Sequence, residues 1–156
     1  MPSGSTELLL ADSNVLVYAL DIAEQDKSRL ARELLRRVEG AERGLITSQL
    51  VTEFYAASVR VRGGRPAICQ PDEAATWIDR WLTAFSFRQI TPTVIREAVR
   101  GAAAYQMHIY DAQVWASAKF AGAIILTEDG QSRGFIEGVQ YINPFADDFT
   151  FESIGL

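Results

Sequence analysis

Four acidic residues, far apart along the chain, have the types and positions that a shared metal site would need. They are Asp12, Glu53, Asp111 and Asp129. Two carboxylates about 4 Å apart repel each other by ~4 kcal/mol at an effective dielectric constant of 20, so four in one pocket would take up protons or bind a cation. With oxygen ligands only, the suitable cations are Mg²⁺ and Mn²⁺. Such an ion can hold a phosphate group and lower the pKa of a water molecule, so phosphodiester hydrolysis is the chemistry that follows most naturally.

Each acid also has a structural interpretation. An aspartate after a strand often caps the next helix, and Asp111 and Asp129 could each be a cap. Glu53 does not fit this interpretation, because it lies inside a predicted helix among apolar residues, where a side chain cannot cap. The four acids are therefore not all explained as caps.

The apolar pattern predicts strands that alternate with helices. Short apolar or alternating runs indicate strands at 8–11, 44–47, 85–90, 123–127 and 139–142. One-sided apolar spacing, first-turn prolines and capping residues predict helices at 27–39, 49–62, 71–82, 92–107 and 110–120, with a short helix or turn at 15–20. Strands separated by helices pair in parallel through right-handed crossovers. The expected fold class is α/β, a three-layer α/β/α sandwich around a central, mainly parallel sheet.

This fold would bring the acids to one edge of the sheet. Sites in open parallel sheets form beyond the carboxyl ends of the strands, where Asp12 and Asp129 each follow an apolar run. Strand alternation places Thr127 on the same side as Asp129, and the residue between them on the other. Glu53 lies in the first turns of the helix that leaves the second strand. Asp111 lies in the first turn of the helix that precedes strand 123–127, and we expect both to reach the same edge.

Composition narrows the class of protein. The 156 residues, 48% of them hydrophobic, suit a single domain over 1–156 with a core at about 8–145, a short N-terminal tail and an acidic C-terminal tail. The net charge of −5 argues against a protein that coats nucleic acid electrostatically. No apolar run approaches the ~20 residues that span a membrane, and one cysteine, Cys69, excludes an internal disulfide. We expect a cytoplasmic protein that does not contact membranes, with any metal site left to carboxylates because His108 is the one histidine.

Segments around the four acids resemble, in order and spacing, the motifs of PIN-domain ribonucleases, including VapC-like toxins of type II toxin–antitoxin systems. The segments are 12–19 (DSNVLVYA), 47–55 (TSQLVTEFY), 110–118 (YDAQVWASA) and 126–129 (LTED). Residues 138–145 (GVQYINPF) are similar to the last strand of those toxins, and the resemblance covers roughly residues 8–145. Each segment alone is unspecific, whereas the ordered set is specific. Gly130 departs from the pattern, since relatives often carry an apolar residue there, and this leaves the conformation of loop 130–134 open.

The resemblance implies an Mg²⁺- or Mn²⁺-dependent endoribonuclease that hydrolyses RNA phosphodiester bonds and is the toxin of a toxin–antitoxin pair. The catalytic residues that it implies, which would also hold one or two ions, are Asp12, Glu53, Asp111 and Asp129. Asn14 and Thr127 would not bind the metal themselves and would orient the side chains that do. Toxins of this family form homodimers and are silenced by an antitoxin, so a homodimer and a cognate antitoxin are expected as well.

Three arginines beside the Gly63-Gly64 pair are candidates for RNA binding. Arg60, Arg62 and Arg65 could contact phosphates from a mobile basic loop. The alternative is structural, because cations at the C-terminal end of a helix are favoured by the helix dipole.

Two other functions remain open at this point. A haloacid-dehalogenase-type phosphatase or phosphotransferase would use Asp12 as its nucleophile. That chemistry needs a second aspartate two residues later, where this chain has Asn14, and a lysine at the phosphate, for which only Lys27 and Lys119 are available. The other alternative is a non-catalytic PIN-fold module that binds RNA or protein.

Overall fold

The central sheet is mainly parallel, and its two middle strands are buried at every residue. The computed structural model describes residues 6–156, and for 131 and 132 the backbone only. Within this range the strands are β1 (Leu9–Ala11), β2 (Gly44–Thr47), β3 (Ser86–Arg88), β4 (Ile124–Leu126), β5 (Phe135–Ile136) and β6 (Val139–Ile142). Their order is β3-β2-β1-β4-β6-β5, and only β5 runs antiparallel to its neighbour. The predicted α/β sandwich with a mainly parallel sheet is confirmed.

Helices connect the strands and flank the sheet. They are α1 (Ser13–Tyr18), α2 (Gln25–Gly40), α3 (Ser48–Val59), α4 (Pro71–Ala84), α5 (Pro92–Tyr105), α6 (Ile109–Ala121) and α7 (Gly130–Arg133), followed by a 3₁₀ turn (Phe151–Ile154). Side-chain caps define several of the starts: Thr47 Oγ1 accepts the Leu50 N–H at 3.2 Å, and Thr91 Oγ1 accepts the Val94 N–H at 3.3 Å. None of the helices in the described range combines the length and the apolar character needed to cross a membrane.

Some predicted boundaries are wrong by a few residues. Helix α3 ends at Val59 rather than at residue 62, because the chain leaves helical geometry at Arg60 (ψ 143°). Helix α5 ends at Tyr105, before residue 107, because Gln106 adopts a left-handed conformation with φ 54°. The strand expected at 85–90 is confined to the three residues of β3.

The core lies on both sides of the β1–β4 pair. Leu10, Ile125 and Leu126 have no exposed surface, as expected for central parallel strands covered on both faces. Trp81 of α4 and Trp115 of α6 are also buried. Fully burying a large apolar side chain contributes about 1.5–3 kcal/mol to stability, so these positions account for much of the rigidity beneath the site.

The C-terminal segment packs against the core. Arg43, which is 6% exposed, donates from Nη1 to the Ile154 carbonyl at 2.6 Å and from Nε to the Glu7 carbonyl at 2.7 Å. Ile154 is buried, and the Arg37 guanidinium lies 4.1 Å from the centroid of the Phe151 ring. The acidic tail is therefore a packing segment that closes one end of the molecule.

Candidate active site

Thr127 is the centre of a hydrogen-bond network at the carboxyl edge of the sheet. It follows β4, is 2% exposed, and its N–H donates to the Ile142 carbonyl on β6 at 2.9 Å. Its hydroxyl donates to Asp12 Oδ2 at 3.0 Å and accepts from Asn14 Nδ2 at 2.9 Å and from the Asp129 N–H at 3.4 Å. One donated and two accepted bonds use the full capacity of a hydroxyl group. Thr127 therefore fixes the positions of Asp12, Asn14 and the start of the Asp129 loop.

Asp12 is half-buried, whereas Asp111 and Asp129 are exposed. Register places Ala11 opposite Leu126, so Asp12 and Thr127 leave their strands side by side. Asp12 Oδ1 accepts the Ser13 N–H at 2.8 Å and caps α1. Burial is the main cause that raises the pKa of Asp12 to about 6, and the charges of Asp111 and Glu53 raise it further against the opposing effect of these hydrogen bonds.

Three of the four predicted acids line one cavity. Asp12 enters it from β1, Asp129 from the loop after β4, and Asp111 from the first turn of α6. Thr127, Val114, Arg133 and Tyr141 complete its lining. The expectation that separate elements deliver carboxylates to one edge of the sheet therefore matches the geometry for these three.

Glu53 stands beside this cavity without lining it. It lies in the second turn of α3, and its carboxylate accepts a hydrogen bond from Gln49 Nε2 at 2.8 Å. The same Gln49 nitrogen donates to the Tyr110 carbonyl at 3.0 Å, which ties α3 to the start of α6. Because its charge contributes to the raised pKa of Asp12, Glu53 is close enough to act in the same electrostatic field.

A positive charge lies among the acids. Arg133, at the end of α7, donates from Nη2 to Asp111 Oδ2 at 3.1 Å. Its guanidinium also lies 5.9 Å from the centroid of the Tyr141 ring. The guanidinium supplies part of the positive charge that a cluster of carboxylates requires.

The donor atoms of the cavity fit a hard divalent cation. Its carboxylates supply oxygen ligands of the kind that Mg²⁺ and Mn²⁺ prefer. The buried Tyr141 hydroxyl has no hydrogen-bond partner within the part of the chain that the structure describes. As the side chains stand, no three His, Cys, Asp or Glu residues of the described range are grouped closely enough to hold an ion. The pairing of Asp111 with Arg133 directs one of the carboxylates to the guanidinium instead.

Glu128 lies on the opposite side of its strand extension from Thr127 and Asp129. Its carboxylate accepts a hydrogen bond from Tyr18 Oη at 2.7 Å and forms an ion pair with Lys27. The hydrogen bond between Lys27 and Glu128 raises the pKa of Lys27 to about 12. The alternation predicted for residues 127–129 is thus present. These contacts connect the loop that contains Glu128 to α1, through Tyr18, and to α2, through Lys27.

A family model described as PIN domain matches residues 9–134. The chain belongs to the PIN domain family. At the level of sequence, no curated protein matches it. The matched range includes all four acids and the strands β1, β2 and β4 that precede three of them.

Three of the solved structures with a similar fold are bacterial proteins. They are a toxin–antitoxin complex from Klebsiella pneumoniae, DNA-bound VapBC from Salmonella typhimurium and FitAcB from Neisseria gonorrhoeae. Their TM-scores are 0.61, 0.61 and 0.60, at sequence identities of 18%, 14% and 15%. The similarity covers 88%, 86% and 88% of this PIN domain protein and 98%, 96% and 99% of those chains. At these identities the likeness establishes a shared fold.

The candidate RNA-binding arginines of this PIN domain lie at a tight turn: Arg62 and Arg65 flank Gly63-Gly64, and Arg60 directly follows α3. Gly63 and Gly64 have φ values of +42° and +83°, and the Arg65 N–H donates to the Arg62 carbonyl at 2.6 Å. Such a turn needs residues that tolerate positive φ at both central positions. Arg60, Arg62 and Arg65 are exposed, and no ion pair holds any of them within the described range. They are available to a ligand.

Sequence reasoning missed three side chains of the site. The pattern around Tyr141 is typical of a core residue in a strand, and Gln49 occupies a polar position on a helix. Arg133 lies in segment 130–134, whose conformation the sequence does not specify. Gln49 precedes Glu53 by four residues, and this helical spacing was the one signal that would have linked the two. Tyr141 reaches the acids through the pairing of β6 with β4, and Arg133 through the short helix α7, and no local pattern predicts either.

Proposed function

We propose that this PIN domain protein is an endoribonuclease that uses Mg²⁺ or Mn²⁺ to hydrolyse RNA phosphodiester bonds, and that it is the toxin of a toxin–antitoxin pair. The observation that carries the proposal is the cavity lined by Asp12, Asp111 and Asp129, in which the most buried carboxylate is held by two hydrogen bonds. Three carboxylates from distant parts of a chain are costly to gather unless a cation or a proton compensates them.

Asp12, Glu53, Asp111 and Asp129 would hold one or two ions. When bound, the ion would neutralise phosphate charge and lower the pKa of a water molecule, which is the chemistry that hydrolysis requires. Asp12 would stay ionised in its presence and keep its orientation through the Ser13 N–H and the Thr127 hydroxyl. Asn14 would keep Thr127 in place, because its amide donates to the Thr127 oxygen.

The arginines at and before the Gly63-Gly64 turn would bind the RNA backbone. Arg60, Arg62 and Arg65 follow α3, the helix that carries Glu53, and Arg60 lies about 10 Å from Glu53 along the helix axis at 1.5 Å per residue. A strand whose scissile phosphate lies in the acidic cavity would place neighbouring phosphates within reach of these guanidinium groups. Their positive charge would offset the net −5 of the chain where the substrate lies.

An antitoxin and a second copy of the chain are the proposed protein partners, in the cytoplasm. One structural neighbour is a toxin–antitoxin complex by its description, and a second, VapBC, shares its name with the VapC-like toxins that the sequence resembles. The similarity covers 98% and 96% of those two chains. For the homodimer, α5 presents Ile95 and Val99 one helical turn apart at 44% and 55% exposure, and Phe120 of the adjoining α6 is 55% exposed. Sedimentation of Val99→Glu against an Ile22→Glu control measures this contact: the first should be a monomer and the second a dimer.

The haloacid-dehalogenase-type alternative is less well supported. It requires a lysine near the nucleophile, whereas Lys27 is paired with Glu128 and Lys119 with Glu97 and Glu137. A binding module without activity would need no carboxylate with a raised pKa, and Asp12 has one.

Cleavage of an RNA panel with Mn²⁺ or with EDTA tests the proposed activity. The wild type should cleave with Mn²⁺ and stop in EDTA, and Asp12→Ala should lose at least 100-fold in rate, which corresponds to about 3 kcal/mol. Glu39→Ala, at a half-buried acid of α2 that pairs with Arg80 outside the cavity, is a control that should retain the wild-type rate. Activity that persists in EDTA, or in Asp12→Ala, would contradict the proposal.

Expression in a bacterial host tests the toxin role separately. Induction of the wild type should arrest growth, Asp12→Ala should not, and co-expression of the neighbouring gene should relieve the arrest. If the cleavage assay succeeds and growth is unaffected, the nuclease proposal stands and the toxin role is refuted.

A further inference from the structure

One buried hydroxyl in the acidic cavity has no hydrogen-bond partner among the described residues. Tyr141 of β6 is 8% exposed and lines the cavity together with Asp12, Asp111 and Asp129. The buried side-chain atoms of the described range that lack a hydrogen bond are Gln49 Oε1, Ser58 Oγ, Ser117 Oγ and Tyr141 Oη. Of these four atoms, only Tyr141 Oη belongs to a residue of the acidic cavity.

The surroundings of Tyr141 keep its hydroxyl as a fixed donor. Its backbone pairs with Ile125 of β4, and its N–H donates to the Gly134 carbonyl at 2.8 Å. Burial raises the pKa of Tyr141, Arg133 lowers it, and the nearby Asp111 and Asp12 charges raise it further, so the group stays protonated at neutral pH. A phenol that is neutral, buried and held in a strand carries one O–H, and this O–H has no acceptor in the described range.

Folded proteins rarely leave such a group unsatisfied, because a buried donor loses its hydrogen bonds to water and gains nothing in return. The unpaired Tyr141 hydroxyl is explained if its hydrogen-bond acceptor belongs to a bound ligand. The acidic residues of the cavity select that ligand: a divalent cation with its water, or an RNA phosphate that follows the cation.

We propose that the Tyr141 hydroxyl donates a hydrogen bond to an oxygen atom that enters the acidic cavity with the ligand, and that Tyr141 is thus a further ligand-binding residue of the site. The oxygen belongs either to water that accompanies a divalent cation or to a phosphate of the RNA. This inference rests on the proposed nuclease function for the identity of the ligand.

Tyr141→Phe removes the hydroxyl and retains the ring, and Tyr55→Phe, at a half-exposed tyrosine of α3 outside the cavity, is the matched control. Urea unfolding without ligand should show Tyr141→Phe to be at least as stable as the wild type, because the substitution deletes an unpaired polar group. A hydroxyl with a merely structural role would give the opposite result.

Three ligand measurements then locate the oxygen. They are the Mn²⁺ affinity by calorimetry, the affinity for a nuclease-resistant 2′-O-methyl RNA oligonucleotide by fluorescence anisotropy, and kcat/KM for cleavage. At least a fivefold loss of Mn²⁺ affinity in Tyr141→Phe assigns the bond to water. Unchanged Mn²⁺ affinity with at least a fivefold loss of oligonucleotide affinity or of kcat/KM assigns it to phosphate.

The inference is overturned if all three quantities stay within twofold of the wild type, or if Tyr141→Phe is destabilised and its ligand affinities are normal. The first two measurements need no turnover. A wild type that binds Mn²⁺ and the oligonucleotide without cleaving RNA would refute the proposed activity and still decide the role of Tyr141.

Discussion

At the scale of single residues, burial and hydrogen bonding act on Asp12 in opposite directions. Burial favours the protonated carboxyl, whereas the bonds from the Ser13 N–H and the Thr127 hydroxyl favour the ionised one. Burial prevails and raises the pKa of Asp12 to about 6. A carboxylate in this state gains more from a bound cation than an exposed carboxylate does, which makes it a sensitive reporter of the site.

The pH dependence of stability tests this balance. Because the folded-state pKa is raised, the stability linked to Asp12 is fully present below about pH 4 and is lost as the pH rises through about 6. With a pKa near 3.8 in the unfolded chain, the loss in the free energy of unfolding is roughly 3 kcal/mol. In urea unfolding of the metal-free protein between pH 4 and 7.5, Asp12→Asn should lack this part of the decline and be more stable than the wild type at pH 7.5. Parallel profiles for the two proteins would contradict the account.

Residue types alone indicated the four acids but not their partners. Asp12 and Asp129 were predictable because each follows an apolar strand and must leave the sheet at its carboxyl edge. Arg133 and Tyr141 were not, since an arginine in a glycine-flanked loop and a tyrosine in a strand have many common structural roles. Their contribution depends on which side chains face the same cavity, and this is a property of the assembled fold.

At the scale of elements, the segment after Asp129 determines how Arg133 and β5 approach the acids. A Cβ atom at Gly130 would lie 2.5 Å from the Ile142 carbonyl carbon and 2.6 Å from the Asn143 nitrogen. Both contacts are with backbone atoms, which cannot move aside as a flexible side chain can. The glycine that departs from the PIN-domain pattern is therefore required by the close approach of α7 to β6.

Gly130→Ala should destabilise the protein by about 1–3 kcal/mol, the typical effect of overpacking, and should lower activity because α7 carries Arg133 toward Asp111. Gly40→Ala, at the last residue of α2 where a Cβ would meet nothing within 4 Å, is the control and should be neutral or stabilising by up to about 1 kcal/mol. Urea denaturation measures both changes. Equal effects of the two substitutions would show that the Gly130 contact is unimportant.

Most elements were predictable where local chemistry specifies them. Strand β4 follows from its apolar run, and α4 and α5 follow from prolines at their first turns. Helix α7 and strand β5 were missed because they have four and two residues and depend on pairing with β6 rather than on their own pattern. The packing of the C-terminal tail is likewise not predictable from local sequence, because it depends on Arg43, more than a hundred residues earlier.

At the scale of the whole molecule, an acidic chain would bind an acidic polymer only if its charges are segregated. The acids gather at the carboxyl edge of the sheet, whereas three exposed arginines extend from the far end of α3. This arrangement places negative charge where a cation would bind and positive charge where phosphates would lie.

Replacement of Arg60, Arg62 and Arg65 by alanine should weaken binding of single-stranded RNA and lower its salt dependence. Each lost phosphate contact reduces the slope of log K against log salt by about 0.7, so the expected change is about 2. The control is a triple variant with the same change in net charge at Arg29, Arg88 and Arg96, three exposed arginines on other elements. Equal changes in slope for the two triple variants would show that only net charge matters.

Anomalous diffraction from crystals soaked in Mn²⁺ is the most direct measurement of whether separate carboxylates share a divalent ion. The expected result is a manganese peak within coordination distance of Asp12 and Asp129, with the Asp111 carboxylate turned from Arg133 toward the ion. Manganese peaks confined to other surfaces at saturating Mn²⁺, with the Asp111–Arg133 pair intact, would contradict the account.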